Sequence, residues 1–451
     1  MSAVQTTPAG GEKVRERKVC PFIVASIIMV TIWLGFLVSG RAFHSGGIAT
    51  CQGCHTMHNS QGDQSVPTNT TGSSGNPYLL KAADPGSTCL TCHTAPDRTG
   101  QSTSYSIATK DTDMPSGSPP LQLTPGGDFG WLKKNYTWGT GAGRTAVSAG
   151  ERHGHSIVAS DHSFVADTKN ITAPLGAYPS EKLSCISCHD PHGKYRRFAD
   201  GSIRTTGLPV FASGSYNNSP DPDSAGAVGV YRLLGGKGFQ PKYLSGGNTF
   251  TTDPPAAVAP AAYNREESSN DTRVAYGSGV SEWCENCHSN HGGNSNDMRH
   301  PAGNSTKFSA SVIANYNSYV ASGDLSGNVS ISFTSLVPFE MGTNDYGLLK
   351  RTANSDGSDR RGPDSGSGNP NVMCLTCHRA HASGWDSMTR WNMKATFIVY
   401  GGIYPGVDNN SPQEYAQGRT VAETQKAYYG RPVTKLAAYQ RSLCNKCHAK
   451  D

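Results

Sequence analysis

Apolar residues are scarce. They make up only 35% of the chain, while 52 glycines and 27 prolines interrupt it throughout, so long helices and strands are excluded over most of its length. A length of 451 residues would ordinarily mean two or three domains with aliphatic cores. This composition argues against that and calls for another source of apolar bulk. A fixed internal repeat is also missing, which excludes an array of modules. So is an excess of positive charge, once the N-terminus is set aside. Residues 1–42 hold five of the 39 basic and two of the 34 acidic residues, leaving 34 against 32. That balance argues against nucleic acid as a partner.

What is present begins with an export signal. Lys13, Arg15, Arg17 and Lys18 form a basic region, residues 21–38 are an uncharged apolar run, and Gly40-Arg41-Ala42 is a small-x-small cleavage site. Residues 1–42 are therefore expected to be a signal peptide cleaved after Ala42, leaving 43–451 as the mature unit. The alternative is an uncleaved anchor, since a run of about 18 residues barely spans a bilayer. Cys20 has Arg17, Lys18 and Val19 before it where a lipobox would need small and apolar residues.

Thirteen cysteines in an exported chain first suggest disulfides. Their spacing says otherwise. Apart from Cys20, all fall into six Cys-x-x-Cys-His units: Cys51/Cys54/His55, Cys89/Cys92/His93, Cys185/Cys188/His189, Cys284/Cys287/His288, Cys374/Cys377/His378 and Cys444/Cys447/His448. Chance at this composition gives roughly 0.01 copies, so c-type haem attachment outweighs zinc or redox dithiols. Two thiols three positions apart on a helical turn can form thioethers to both vinyl groups of one porphyrin. The histidine that follows then lies over the iron as the proximal ligand. Six haem c groups would supply the apolar bulk and add propionates. The run Lys194-Tyr195-Arg196-Arg197 is accordingly expected to be a propionate partner or a solvated loop.

Each iron has a second axial position. Of 15 histidines, nine remain after the proximal six, enough to cap every iron and favour saturated, low-potential centres over open catalytic ones. His58, His192, His291 and His381 each lie three residues after a proximal histidine, where roughly 0.2 such coincidences are expected. A histidine so close to the proximal one shares its haem face, so it should ligate a neighbouring haem. Haems linked in this way must be close. His155 and His300 are the better candidates for the remaining distal positions; His44, His153 and His162 are reserves. Met57, Met298, Met373, Met388 and Met393 are expected to pack rather than ligate.

The fold class expected is mostly coil with short helices and a few short strands, a single unit organised around a chain of six haems. Residues 421–429, 433–443 and 308–320 have helical spacing. Val329, Ile331 and Phe333 alternate as in a strand, and 397–400 is a second candidate. Residues 352–371 read as a long loop. Trp131, Trp138, Trp283, Trp385 and Trp391 are expected on porphyrin edges.

With these motifs, Phe43-His44-Ser45-Gly46-Gly47, the stretch from Thr124-Pro125-Gly126-Gly127 to Trp131, His189-Asp190-Pro191-His192-Gly193, Arg299-His300-Pro301, Arg379-Ala380-His381 and the last eight residues from Cys444, the chain resembles the filament-forming hexahaem outer-surface cytochromes of metal-reducing bacteria. The likeness covers nearly all of 43–451. It implies a head-to-tail homopolymer in which the histidine matching His58 ligates, in the adjoining subunit, the haem of Cys374, Cys377 and His378. Against the family pattern, the His288-Ser289-Asn290-His291 spacing is one residue tighter, and His153 and His162 are additional.

The leading expectation is thus an extracellular electron conduit, with other outer-surface or periplasmic cytochromes and extracellular metal oxides or electrodes as redox partners. A monomeric periplasmic shuttle is the alternative. A multihaem reductase is a third reading, against which no motif replaces its proximal histidine by lysine. A pyridine haemochrome assay on the mature protein is expected to return six covalently attached haems per chain. Zinc or disulfides in their place would refute this reading.

Overall fold

Segments rich in glycine and proline cannot sustain long hydrogen-bonded ladders. The computed structural model accordingly shows mostly coil with short helices and strands of two to four residues, as expected. It describes residues 51–56, 58, 60–61, 64–65, 77–94, 105–241, 247–261, 273–289, 300–334, 336–354, 362–365 and 368–449. The segment 1–42, His44, Met57, His291 and Met298 lie outside these residues. Among the described residues, no helix is long and apolar enough to cross a membrane.

Among the described residues the longest helices, Pro85–His93 and Ala310–Ser318, have nine residues each. Asp84 starts the first by accepting from the Ser87 amide at 2.7 Å, and Ser309 caps the second. Val421–Ala427 begins with a reciprocal Thr420–Glu423 capping box. The largest sheet among the described residues has four strands, in the order Ile203–Arg204, Arg196–Arg197, Ala227–Gly229 and Val210–Ala212, with only the last pair parallel.

Four local expectations are corrected. Residues 433–443 form only a 3-10 turn at Val433–Lys435. Beyond it Gln440, fully buried, accepts from the Ala437 and Ser322 amides and draws the segment off a helical path. Val329–Thr334 is a 3-10 helix, not a strand, because Asn328 accepts from the Ser330 amide at 3.0 Å in a local turn. Residues 397–400 form no strand beyond an isolated bridge of Tyr400 to Ile403; the Ile398 and Val399 amides both point at the Gln440 carbonyl. Arg196 and Arg197 are an inner strand of the sheet, with Arg197 buried, so this run is not a solvated loop.

The main core mixes aromatics, among them Trp131, Tyr136, Tyr316, Phe339, Trp385, Trp391 and Tyr428, with alanines and with aliphatics such as Val258, Leu336, Leu349 and Ile398. The tryptophans find partners in the polypeptide itself. Trp391 donates to Ser442 at 3.0 Å, Trp283 donates to the Gly235 carbonyl at 2.8 Å, and Trp385 packs 5.3 Å from Tyr428.

Backbone groups that a ladder would satisfy elsewhere are gathered here by buried carboxylates. Asp128 accepts from the amides of Thr109 (2.9 Å), Gln122 (2.9 Å) and Gly130 (2.6 Å), and from the Thr109 hydroxyl. Asp84 also accepts from the Ser160 amide at 2.8 Å, tying the second motif helix to a distant loop. Asp128→Ala strands three buried amides and is expected to cost about 3 kcal/mol, read as a lower denaturation midpoint of the haem-loaded protein.

Candidate functional site

Each Cys-x-x-Cys-His unit is one helical turn. The amide of the motif histidine donates to the carbonyl of the first cysteine at 2.9 Å for His55, 3.1 Å for His189, 3.0 Å for His288, 3.0 Å for His378 and 3.1 Å for His448. The second unit lies wholly within Pro85–His93. Positions i and i+3 share a helix face, so both thiols of a unit lie on one side. None of the twelve motif cysteines is paired in a disulfide.

The motif rings are aimed through Nδ1. That atom lies 2.8 Å from the Tyr78 carbonyl in His55, 2.7 Å from Tyr105 in His93 and 2.7 Å from Arg232 in His189. His288 and His378 make the same contact with Pro174 and Ser387, each at 2.8 Å. An Nδ1–H given to a carbonyl fixes the neutral tautomer with Nε2 free to accept a metal. Three of these carbonyls sit on left-handed pairs of non-glycine residues, Tyr78-Leu79, Arg232-Leu233 and Ser387-Met388, with φ between 46° and 59°. Such backbone is disfavoured and marks a site the surroundings enforce. Sequence reasoning missed these residues because none is a glycine or asparagine, the usual signal for positive φ.

A second imidazole stands opposite four of the motif rings. Centroids are 6.4 Å apart for His55 and His192, 6.4 Å for His189 and His381, 6.2 Å for His288 and His155, and 6.1 Å for His448 and His300. Two imidazoles on opposite sides of one metal, each with a bond of about 2 Å, place their centroids roughly 6 Å apart. The donor sets therefore fit axially ligated iron. His192 follows His189 in sequence but faces His55; His381 follows His378 but faces His189.

The second rings are held as carefully as the first. His155 contacts the Ala380 carbonyl through Nδ1 at 2.7 Å and His300 that of Pro301 at 2.9 Å. The His381 amide donates to the Gly126 carbonyl at 2.7 Å, its ring stacks 4.6 Å from Phe129, and a side chain at Gly127 (φ 96°) would meet the Ala382 carbonyl at 1.7 Å. The Thr124–Trp131 sequence block is thus a cradle for His381. Burial pulls His155 down to about 4 and His381 to about 3, keeping them in the neutral form a metal accepts.

The remaining histidines separate clearly. His153 is fully buried with both ring nitrogens engaged, Nδ1 with the Trp131 carbonyl at 3.0 Å and Nε2 with Ser148 at 2.7 Å, beside Asp386. It has no nitrogen left for a metal. His162 is half-buried next to Asp161. His58 is exposed and, among the described residues, makes no hydrogen bond or ring contact. Met373 packs in a buried cluster, whereas Met393 is exposed.

The units also follow one another in space. Cys54 lies near Cys89 and Cys92, Cys89 near Cys185, Cys188 near Cys287, Cys284 near Cys374, and Cys377 near Cys444. Every pair of consecutive motifs is therefore adjacent, although 38 to 99 residues separate them in sequence.

Six attachment turns in a spatial series, with imidazoles paired across gaps that suit iron, define a multihaem c-type cytochrome. No family model matches the chain. It is 55% identical over 416 residues to the C-type cytochrome OmcS of Geobacter sulfurreducens, covering 91% of this chain and 94% of that one. It also matches the cryo-EM structure of the OmcS nanowires and a second structure, the Outer Membrane Cytochrome S filament, both of Geobacter sulfurreducens. Each match has a TM-score of 0.83 at 54% identity and covers 91% of this chain and all of that one. The chain belongs to the OmcS family of c-type cytochromes.

His155→Ala is expected to convert one low-spin haem to high spin, seen as a new ferric electron paramagnetic resonance signal near the high-spin position. His153→Ala is expected to leave all haems low-spin while lowering stability.

Proposed function

We propose that the chain carries six haem c groups and conducts electrons along them through a head-to-tail filament outside the cell. The cysteines of the six units would hold the porphyrins, with His55, His93, His189, His288, His378 and His448 as proximal ligands. His192, His381, His155 and His300 would complete the irons of His55, His189, His288 and His448 respectively. The single observation that carries this reading is the set of four imidazole pairs with centroids 6.1 to 6.4 Å apart. Bound haem supplies a one-electron iron couple.

The residues of this chain do the rest. At the four paired sites, imidazole on both faces would leave no iron position for a substrate, which favours electron transfer over a reductase activity. Backbone carbonyls on Nδ1 hold the rings rigidly and keep reorganisation small. Adjacent motifs keep neighbouring groups close, as charge transfer along a series requires.

His58 is assigned to the haem of Cys374, Cys377 and His378 in an adjoining copy. Its exposure supports this, as does the likeness of the chain to proteins solved as filaments. A ligand donated from one copy to the next is a heterologous contact, which need not close and so propagates. His291 and His44 are kept as candidates for the haem of Cys89, Cys92 and His93. Residues 1–42 would be removed after Ala42 on export, and the outer surface is the proposed destination. Other cytochromes would act as donors, and metal oxides or electrodes as acceptors.

His58→Ala is expected to retain six haems by pyridine haemochrome assay but to give no filaments by electron microscopy. Intact fibres from that variant would refute the assignment.

A further inference from the structure

Among the haem-site residues stands a buried cation to which no described residue supplies a counter-charge. Arg379 lies directly after His378 and two residues before His381, and is 2% exposed. Its amide donates to the Met388 carbonyl at 2.8 Å, Nη1 donates to the Pro125 carbonyl at 3.3 Å, and the guanidinium carbon lies 3.5 Å from the centroid of the Tyr429 ring. Tyr429 is fixed in turn by its hydroxyl, which donates to the Thr124 carbonyl at 2.7 Å. The arginine is therefore clamped in the same loop that cradles His381.

Its remaining edge is bare. Nε and Nη2 are both buried and make no hydrogen bond. Among the described residues, no carboxylate lies within ion-pair distance of the group. A buried charge without a partner is strongly unfavourable, and unsatisfied buried donors add to the penalty. The Nε and Nη2 atoms form one edge of the planar fork, the edge that takes a carboxylate through two parallel hydrogen bonds. The missing partner is a carboxylate by geometry as well as by charge.

We propose that Arg379 is a propionate clamp, pairing through Nε and Nη2 with a carboxylate of a haem at the junction of the His378 and His381 sites. This rests on the haem assignment above. The clamp orients that porphyrin about the axis of its ligands. It also sets a fixed positive charge near one iron, which favours the reduced state and raises the potential of that centre relative to an uncharged neighbour.

A cryo-EM map of the haem-loaded wild-type protein tests the contact directly. The expected result is a propionate oxygen within hydrogen-bond distance of both Nε and Nη2, and the map shows which of the two haems provides it. Finding both propionates turned away from that edge would overturn the proposal. Spectroelectrochemical titration tests the consequence. In Arg379→Gln, with six haems confirmed by pyridine haemochrome, one component of the titration is expected to move to more negative potential, and Arg379→Lys is expected to move it less. A Gln variant with its full haem complement and a titration superimposable on wild type would also overturn it. A low haem count in the wild-type protein would instead count against the haem assignment itself, which keeps the two failures distinct. Should the Gln variant fail to fold, the wild-type map and the Lys titration still decide.

Discussion

The aiming of an imidazole by a hydrogen bond from Nδ1 to a backbone carbonyl is the constraint on which the arrangement depends. A histidine has two nitrogens and one proton in its neutral form, so giving the proton to a carbonyl commits Nε2 to accepting. Five of the six motif histidines have such a carbonyl within 2.7 to 2.8 Å. Where the carbonyl is presented by Tyr78, Arg232 or Ser387, the backbone enters the left-handed region without a glycine to ease it. That unfavourable geometry accompanies a contact that orients a motif imidazole. His153 illustrates the converse: with both nitrogens engaged it is a structural residue, two positions from His155, whose Nε2 remains available.

The shortage of aliphatic residues shapes everything around these rings. Beside one mixed core of aromatics, alanines and aliphatics and three smaller clusters, the chain stitches coil to coil with buried polar groups. Asp128 and Asp84 organise loops by collecting amides, and Asp386 does so with Ser148, His153 and Lys394. Breaking one of these junctions leaves several donors unsatisfied at once, so the penalty per residue is high. Burial of Arg379 with half of its fork unpaired fits the same pattern, provided the anion arrives with the cofactor.

Local chemistry was legible in the amino-acid sequence. The Cys-x-x-Cys-His spacing, the candidate proximal histidines and the coil-rich fold class all follow from residues a few positions apart or from composition. The expectation of an export signal, which falls outside the described residues, and the candidate status of His58, His192, His291 and His381 were likewise read from short patterns. Short-range patterns misled at 329–333, where the Asn328 turn competed with strand pairing, and at 433–443, where Gln440 anchored the segment to distant backbone. In both cases a specific hydrogen bond outweighed periodicity.

Pairing was decided by the tertiary structure alone. Nothing in a sequence says that His192 faces His55 rather than His288, or that His381 crosses to His189, because each match joins segments more than a hundred residues apart whose approach depends on every loop between them. The same holds for the carbonyls that orient the rings, for the cradle of Gly126, Gly127 and Phe129 around His381, and for the exclusion of His153. Which residues can bind is a matter of side-chain chemistry and spacing, and the sequence determines it. Which of them meet is a matter of packing the whole chain, and only the fold does that.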